Sequence, residues 1–242
     1  MPGPVRGVLF DKDGTLIDFE KTWLPGLLSA ARNLVETHGI KTDADALTRA
    51  AGGDPEKAAV APGTLLAQGT AIEVAELWCG LVPALPTVEE TAAWLDAYWL
   101  DHAARNLAPA CDLRQLFSSL RARDIRIAIV TNDAERGAWD MVEALGLEDL
   151  VDFVAGYDSG HTPKPAPDML EAFLHDGGMA AAETVMVGDS RADMEAGRAA
   201  GCRATIGVLT GATPESQLTS LADFIIPDAG HLPDLLSSGA LT

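Results

Sequence analysis

Apolar residues along this chain follow two rhythms. Short unbroken runs, rich in β-branched residues, occur at Val8-Leu9-Phe10 with Val5 ahead of them, at Arg126 to Asp133, and more weakly at Val151 to Gly156. They recur at Thr184 to Asp189, Arg203 to Leu209 and Phe224 to Ile226. Runs of this length and continuity predict strands buried on both faces of a parallel sheet. Helical spacing fills the gaps in the second half of the chain. A segment that Asp112 can cap runs to about Arg123, and others cover Glu135 to Leu145, Pro167 to His175 and Arg191 to Ala200, the last closed by Gly201. Strands alternating with helices in this way predict an α/β fold built on a doubly wound parallel sheet.

Between the first run and the second the rhythm is helical throughout. From Trp23 to about Trp99, the segments Leu27 to Thr37, Asp43 to Ala51, Ile72 to Leu81 and Val88 to Arg105 carry apolar residues at helical spacing, and nothing there reads as a strand. Leu107-Ala108-Pro109-Ala110 reads as the linker back. The expected organisation is therefore a helical domain over 18–107 inserted into an α/β domain made of 1–17 and 108–242.

Composition narrows the function classes. The chain of 242 residues is 48% hydrophobic and 22% charged, with no apolar run long enough to span a bilayer and no apolar signal-like segment near Met1, so a soluble, cytoplasmic protein is expected. A formal charge of −19 argues against nucleic acid or an anionic membrane as partner. A small anionic substrate must then be met by local cations, a metal or backbone N–H groups. Cys79, Cys111 and Cys202 form no CxxC pair and read as buried small residues rather than disulfides or zinc ligands.

Candidate chemistry falls where the apolar runs end. Asp11 and Asp13 follow the first strand, and two carboxylates at a strand's carboxyl end can hold a divalent metal while leaving an oxygen free to attack. Thr131 and Asn132 end the second and suit donation to phosphoryl oxygens. In His161 to Asp168, Lys164 stands between Pro163 and Pro165, a stiffened cation able to offset acids and phosphate. After the fourth strand, Asp189 and Asp193 lie about one helical turn apart. Each also has an ordinary reading, as an Asp-Gly turn, a turn threonine, a surface lysine or a first-turn helix acid.

Taken in order, Phe10-Asp11-Lys12-Asp13-Gly14-Thr15-Leu16, Thr131, Lys164-Pro165-Ala166-Pro167-Asp168 and Gly188-Asp189-Ser190 through Asp193 to Gly197 resemble the four motifs of the haloacid dehalogenase superfamily. The resemblance implies a Rossmann-like core with an inserted helical cap. It implies Asp11 as a nucleophile that forms an aspartyl-phosphate and Asp13 as general acid and base. Mg²⁺ would be held by Asp11, Asp189 and the Asp13 backbone carbonyl, the phosphoryl group by Thr131 and Lys164, and Asp193 would support metal and lysine from behind. Dehalogenases of this superfamily lack the second acid, so Asp13 points to phosphate chemistry.

The insert, Asn132-Asp133 and Gly207 to Gly211 resemble the phosphoglycolate phosphatase-like group, whose substrates are small phosphomonoesters; a cap is expected to restrict the leaving group, and 2-phosphoglycolate is the favoured substrate. Lys12, Arg49, Lys57 and the Gly52-Gly53-Asp54 turn are candidates for shaping that choice. The alternatives are a β-phosphoglucomutase-like phosphomutase and a non-catalytic binding protein retaining the fold.

Overall fold

The computed structural model describes residues 3–61 and 64–241. The chain divides into two compact units, Met1–Phe19 with Pro109–Thr242, and Glu20–Ala108. The first strand, β1 (Gly7–Phe10), precedes the second unit. That unit holds most of α1 (Phe19–Thr37), then α2 (Ala44–Ala50), β2 (Gly53–Asp54), β3 (Ala59–Val60), α3 (Leu65–Gln68), α4 (Ala71–Leu81) and α5 (Val88–Arg105). The first unit resumes with α6 (Leu113–Arg121), β4 (Arg126–Val130), α7 (Glu135–Ala144), β5 (Phe153–Ala155) and α8 (Asp168–Gly177). It closes with β6 (Thr184–Gly188), α9 (Arg191–Ala200), β7 (Ala204–Val208), α10 (Glu215–Leu218), β8 (Phe224–Ile226) and α11 (Leu232–Ser237).

The sheet has the order β5-β4-β1-β6-β7-β8, and every pairing in it is parallel. The chain builds outward from β1 through β4 to β5, then crosses to the other side for β6, β7 and β8. The order therefore reverses at β1, and in such sheets ligands bind outside the carboxyl ends at that switch point. Phe10 is in register with both Ile129 and Val187, so the residues following β1, β4 and β6 emerge side by side. All four β1 residues are buried, as a central parallel strand requires. On one face Leu9, Ala128, Val130 and Met186 pack with Met169, Leu170 and Phe173 of α8 and Ala196 of α9. Truncating a side chain like Phe173 in such a core costs roughly 3–5 kcal/mol. This platform fixes the loops above it.

Two expectations for the insert need correction. Residues 53–54 and 59–60 form a two-stranded antiparallel ribbon, so the insert is not free of strands. The ribbon is held by its turn rather than by a periodic pattern: Asp54 Oδ1 accepts the Glu56 and Lys57 N–H groups, and Ala58 turns the chain at φ 49°. α1 also begins at Phe19, well before Leu27, with Pro25 inside it. The proline forgoes one backbone hydrogen bond, yet the helix continues because Thr22 ahead of it is buried and accepts the Ala108 N–H at 3.1 Å, while Leu27, Ala30, Ala31 and Leu34 extend the buried stripe beyond it. α4 and α5 each start with a capping box, Thr70 with Glu73 and Thr87 with Glu90. Among the described residues no helix is long and apolar enough to cross a membrane.

Candidate active site

The loop after β1 turns back on itself at once. Gly14 adopts φ 79°, its N–H reaches the Ile17 carbonyl at 2.7 Å, and the Lys12 carbonyl accepts from Leu16 and Ile17. A side chain at Gly14 would be doubly excluded, by the left-handed backbone and because its Cβ would lie 2.7 Å from the Asp189 carboxyl carbon. Gly211 is packed closer still, with a Cβ position 1.8 Å from Asp189 Oδ2. Thr210 ties this second loop to the first by donating to the Gly14 carbonyl at 2.7 Å. The β7 loop thus walls the site, a part that sequence reading saw only as family resemblance.

Lys164 sits at the centre. It is 5% exposed, and its ammonium donates to Asp11 Oδ1 at 2.7 Å, Asp193 Oδ1 at 2.6 Å and the Val130 carbonyl at 2.7 Å. Three protons meet three acceptors. Asp193 is oriented independently by a capping box at the start of α9, where Ser190 donates from its N–H at 3.0 Å and its hydroxyl at 2.6 Å to Asp193 Oδ2. One oxygen of Asp193 serves the helix and the other serves the lysine. The Thr131 hydroxyl is buried beside Asp11's strand and accepts the Asp133 N–H at 3.1 Å, which leaves its proton to donate.

Asn132 stands differently from its expected role as a phosphate donor. Its Oδ1 accepts the Lys164 N–H at 2.9 Å and its Nδ2 donates to the Lys164 carbonyl at 2.8 Å. The amide clamps the backbone of the lysine it was expected to assist. Lys12, expected among the residues shaping substrate choice, is 6% exposed and lies 2.7 Å from both Asp13 Oδ2 and Asp133 Oδ2. Arg49 and Lys57, in the other unit, pair with Asp43 and Asp54 on the surface.

Charge balance defines what the pocket can hold. Oxygens of Asp11, Asp189 and Asp193 lie within 4.8 Å of one another, three buried carboxylates around one ammonium. Burial pushes Asp11 up to about 7; Lys164 opposes this and Asp193 reinforces it. Asp189 is raised well above the usual carboxylate range by burial and then by Asp11 and Asp193. Burial alone would lower Lys164, but Asp11 and Asp193 more than offset it and hold the group charged. A buried excess of negative charge with hard oxygen donors fits a divalent cation such as Mg²⁺. The acidic cluster includes Asp193, which the resemblance places behind the metal, and excludes the Asp13 carboxylate, which Lys12 engages.

The arrangement is a carboxylate nucleophile candidate held by a buried lysine beside an acidic cluster with the spacing to hold a cation, and comparison with known proteins gives its family. The sequence profile of the haloacid dehalogenase-like hydrolases matches residues 5–201. The chain belongs to that family. It is 29% identical over 238 residues to the phosphoglycolate phosphatase of Pectobacterium atrosepticum, spanning 94% of this chain and 93% of the relative. It is 31% identical over 234 residues to that of Neisseria meningitidis, spanning 96% and 92%. In fold it is similar to a candidate beta-phosphoglucomutase from Thermotoga maritima, with TM-score 0.73 and 20% identity over 97% of this chain and 99% of that one. Within the family the protein is an enzyme, a phosphatase of the haloacid dehalogenase type. The alternative of a non-catalytic binding protein is thereby set aside.

Proposed function

We propose that the enzyme is a Mg²⁺-dependent phosphatase that hydrolyses small phosphomonoesters, 2-phosphoglycolate foremost, through an aspartyl-phosphate on Asp11. The observation that supports it most is the 2.7 Å contact that holds Asp11 Oδ1 on Lys164 at the sheet's switch point, while Oδ2 accepts from the Thr15 hydroxyl at a long 3.4 Å. In this reading Asp11 Oδ2 attacks phosphorus, the bond to the leaving oxygen breaks, and Asp13 gives that oxygen its proton. Asp13 then takes a proton from water, the water oxygen attacks phosphorus, and the bond to Asp11 breaks to release inorganic phosphate. Thr131 donates to a phosphoryl oxygen, and the Lys164 ammonium, its protons already engaged, offsets the phosphoryl charge as it redistributes. Asp11, Asp189 and the Asp13 carbonyl would hold the cation, with Asp193 behind them. When bound, it neutralises charge on the transferred group.

The substrate preference comes from the phosphoglycolate phosphatases that the chain resembles over nearly its whole length. The inserted helical unit takes the part of the cap that discriminates leaving groups, and the enzyme acts in the cytoplasm on metabolites rather than on nucleic acid or membranes. A panel of 2-phosphoglycolate, sugar phosphates, pyridoxal phosphate and nucleotides with Mg²⁺ tests the reading. The expected outcome is highest kcat/KM for 2-phosphoglycolate; a value a hundredfold below another member, about 2.7 kcal/mol, removes that substrate while leaving the phosphatase. The likeness to the Thermotoga fold keeps a phosphomutase reading in play. Glucose 6-phosphate formed from glucose 1-phosphate and a bisphosphate primer would establish it.

A further inference from the structure

The amino-terminal edge of the sheet, opposite the edge where Asp11 and Lys164 meet, carries a separate hollow. Its volume is about 400 Å³. Val5 ahead of β1, Arg123 and Ile125 ahead of β4, Arg203 ahead of β7, Leu236 of α11 and Leu241 line it. All of these residues belong to the unit that holds the sheet. Two guanidinium groups therefore share a space whose other walls are largely aliphatic.

In a chain with a formal charge of −19, arginines near this edge find acids readily. Arg121 meets Asp152 at 2.6 Å, Arg126 meets Asp176 at 2.9 Å, and Arg6 meets Glu183 at 3.2 Å. Arg123 and Arg203 differ, since among the described residues neither pairs with a carboxylate. Their partners are neutral carbonyls. Arg203 donates from Nε to Ala182 at 2.8 Å, from Nη1 to Leu241 at 3.1 Å and from Nη2 to Gly3, while Arg123 Nη1 donates to Pro233 at 3.2 Å. Glu183, the acid beside Gly3, accepts from Arg6 and from the Ala180 N–H at 3.0 Å through Oε2. Carbonyls orient a guanidinium without neutralising it, and each of these two arginines keeps N–H groups beyond those engaged.

Both arginines stand on fixed backbone. The Arg123, Asp124 and Ile125 N–H groups reach the carbonyls of Leu120, Arg121 and Leu120 at 3.0, 3.0 and 3.2 Å, and the Arg203 N–H reaches that of Thr184 at 2.8 Å. Donors held in advance lower the ordering cost of binding. We infer that this hollow binds a small organic anion, its head met by Arg123 and Arg203 and its short hydrocarbon body laid on Val5, Ile125, Leu236 and Leu241. A guanidinium is weakly hydrated and its fork matches carboxylate or phosphate oxygens, so two without acid partners favour an anion over a neutral ligand. The aliphatic walls favour an anion with a hydrocarbon body over a bare inorganic ion, because each methylene buried there adds to affinity. The inference goes beyond the phosphatase reading, whose residues lie at the other edge of the sheet.

Calorimetric titration of the full chain in low-salt buffer without divalent cations tests it, with hexanoate, hexylphosphonate and inorganic phosphate as probes. The expected result is saturable binding of a six-carbon anion, tighter than that of inorganic phosphate and weakened on the order of tenfold in Arg123→Gln and in Arg203→Gln. The tighter of the two six-carbon anions tells a carboxylate from a phosphate head group, and either supports the site. Arg203 also ties the Gly3 and Leu241 carbonyls, so Arg123→Gln, on an exposed turn, carries the test if the other variant fails to fold. Absence of saturable binding of both six-carbon anions below about 10 mM would overturn the site. So would inorganic phosphate binding as tightly as either, or an affinity unchanged in Arg123→Gln, which would put the anion elsewhere, as beside Lys164. With no metal and no turnover in the assay, failure here leaves the phosphatase reading untouched.

Discussion

Lys164 Nζ and Asp11 Oδ1 lie 2.7 Å apart across a separation of 153 residues in the chain, and both groups are buried. The same ammonium reaches Asp193 at 2.6 Å, so one cation balances the proposed nucleophile and the acid behind it. Lys164→Met should therefore lower kcat on the order of 10²–10³-fold. It should also lower the melting temperature, because removing one partner leaves buried carboxylates uncompensated. Steady-state kinetics and calorimetry check both effects; a near-wild-type rate would mean that the phosphoryl charge is met elsewhere.

The raised Asp11 carboxyl gives the metal-free protein a defined pH dependence. With its folded pKa near 7, Asp11 keeps a proton that the unfolded chain has already released. The contribution of that proton to the folded state is complete below about pH 4, declines progressively between about pH 4 and 7, and is gone above about 7. Without divalent cations, the melting temperature should fall from pH 5.5 to 8 more steeply in wild type than in Asp11→Asn. Cation binding displaces the proton, so Mg²⁺ should stabilise the wild type more at pH 8 than at pH 5.5. Parallel wild-type and Asp11→Asn curves would contradict this.

Asn132 is expected to act through Lys164. Asn132→Ala removes two hydrogen bonds to the lysine backbone, a cost of about 1–3 kcal/mol, and should lower kcat and thermal stability together. A rise in KM with unchanged kcat and stability would instead restore the direct phosphate contact that the sequence suggests.

Gly211→Ala should weaken Mg²⁺ binding and activity together, since its Cβ position falls 1.8 Å from Asp189 Oδ2. Gly80→Ala is the control: its Cβ meets nothing within 4 Å in α4, and in a helix the change should stabilise by about 0.5–1 kcal/mol. Metal titration by calorimetry separates them, and an unaltered Mg²⁺ affinity in Gly211→Ala would argue against Asp189 as a ligand.

These residues differ in how visible they are in sequence. Asp11, Asp189 and Lys164 are legible because each follows an unbroken apolar run or stands between prolines, where a charged group has one structural place to go. Strand order is not legible, since β1 pairs with β4 and β6 through connections whose direction no local pattern encodes. The roles of Asn132 and Lys12 depend on partners brought together only by the fold. An amide after a strand looks like a ligand for phosphate until Lys164's backbone is found against both its ends. A lysine in an acidic loop looks solvated until Asp133, far along the chain, is placed beside it. The ribbon at 53–60 is too short to carry a period of two.

The most direct measurement is acid quenching of the wild type and Asp11→Asn within a single turnover of a phosphomonoester labelled in its phosphoryl group, with Mg²⁺ present, followed by peptide mapping. The account predicts label on the peptide containing Asp11 in the wild type and none in the variant. Label on another residue, or in Asp11→Asn, would contradict it.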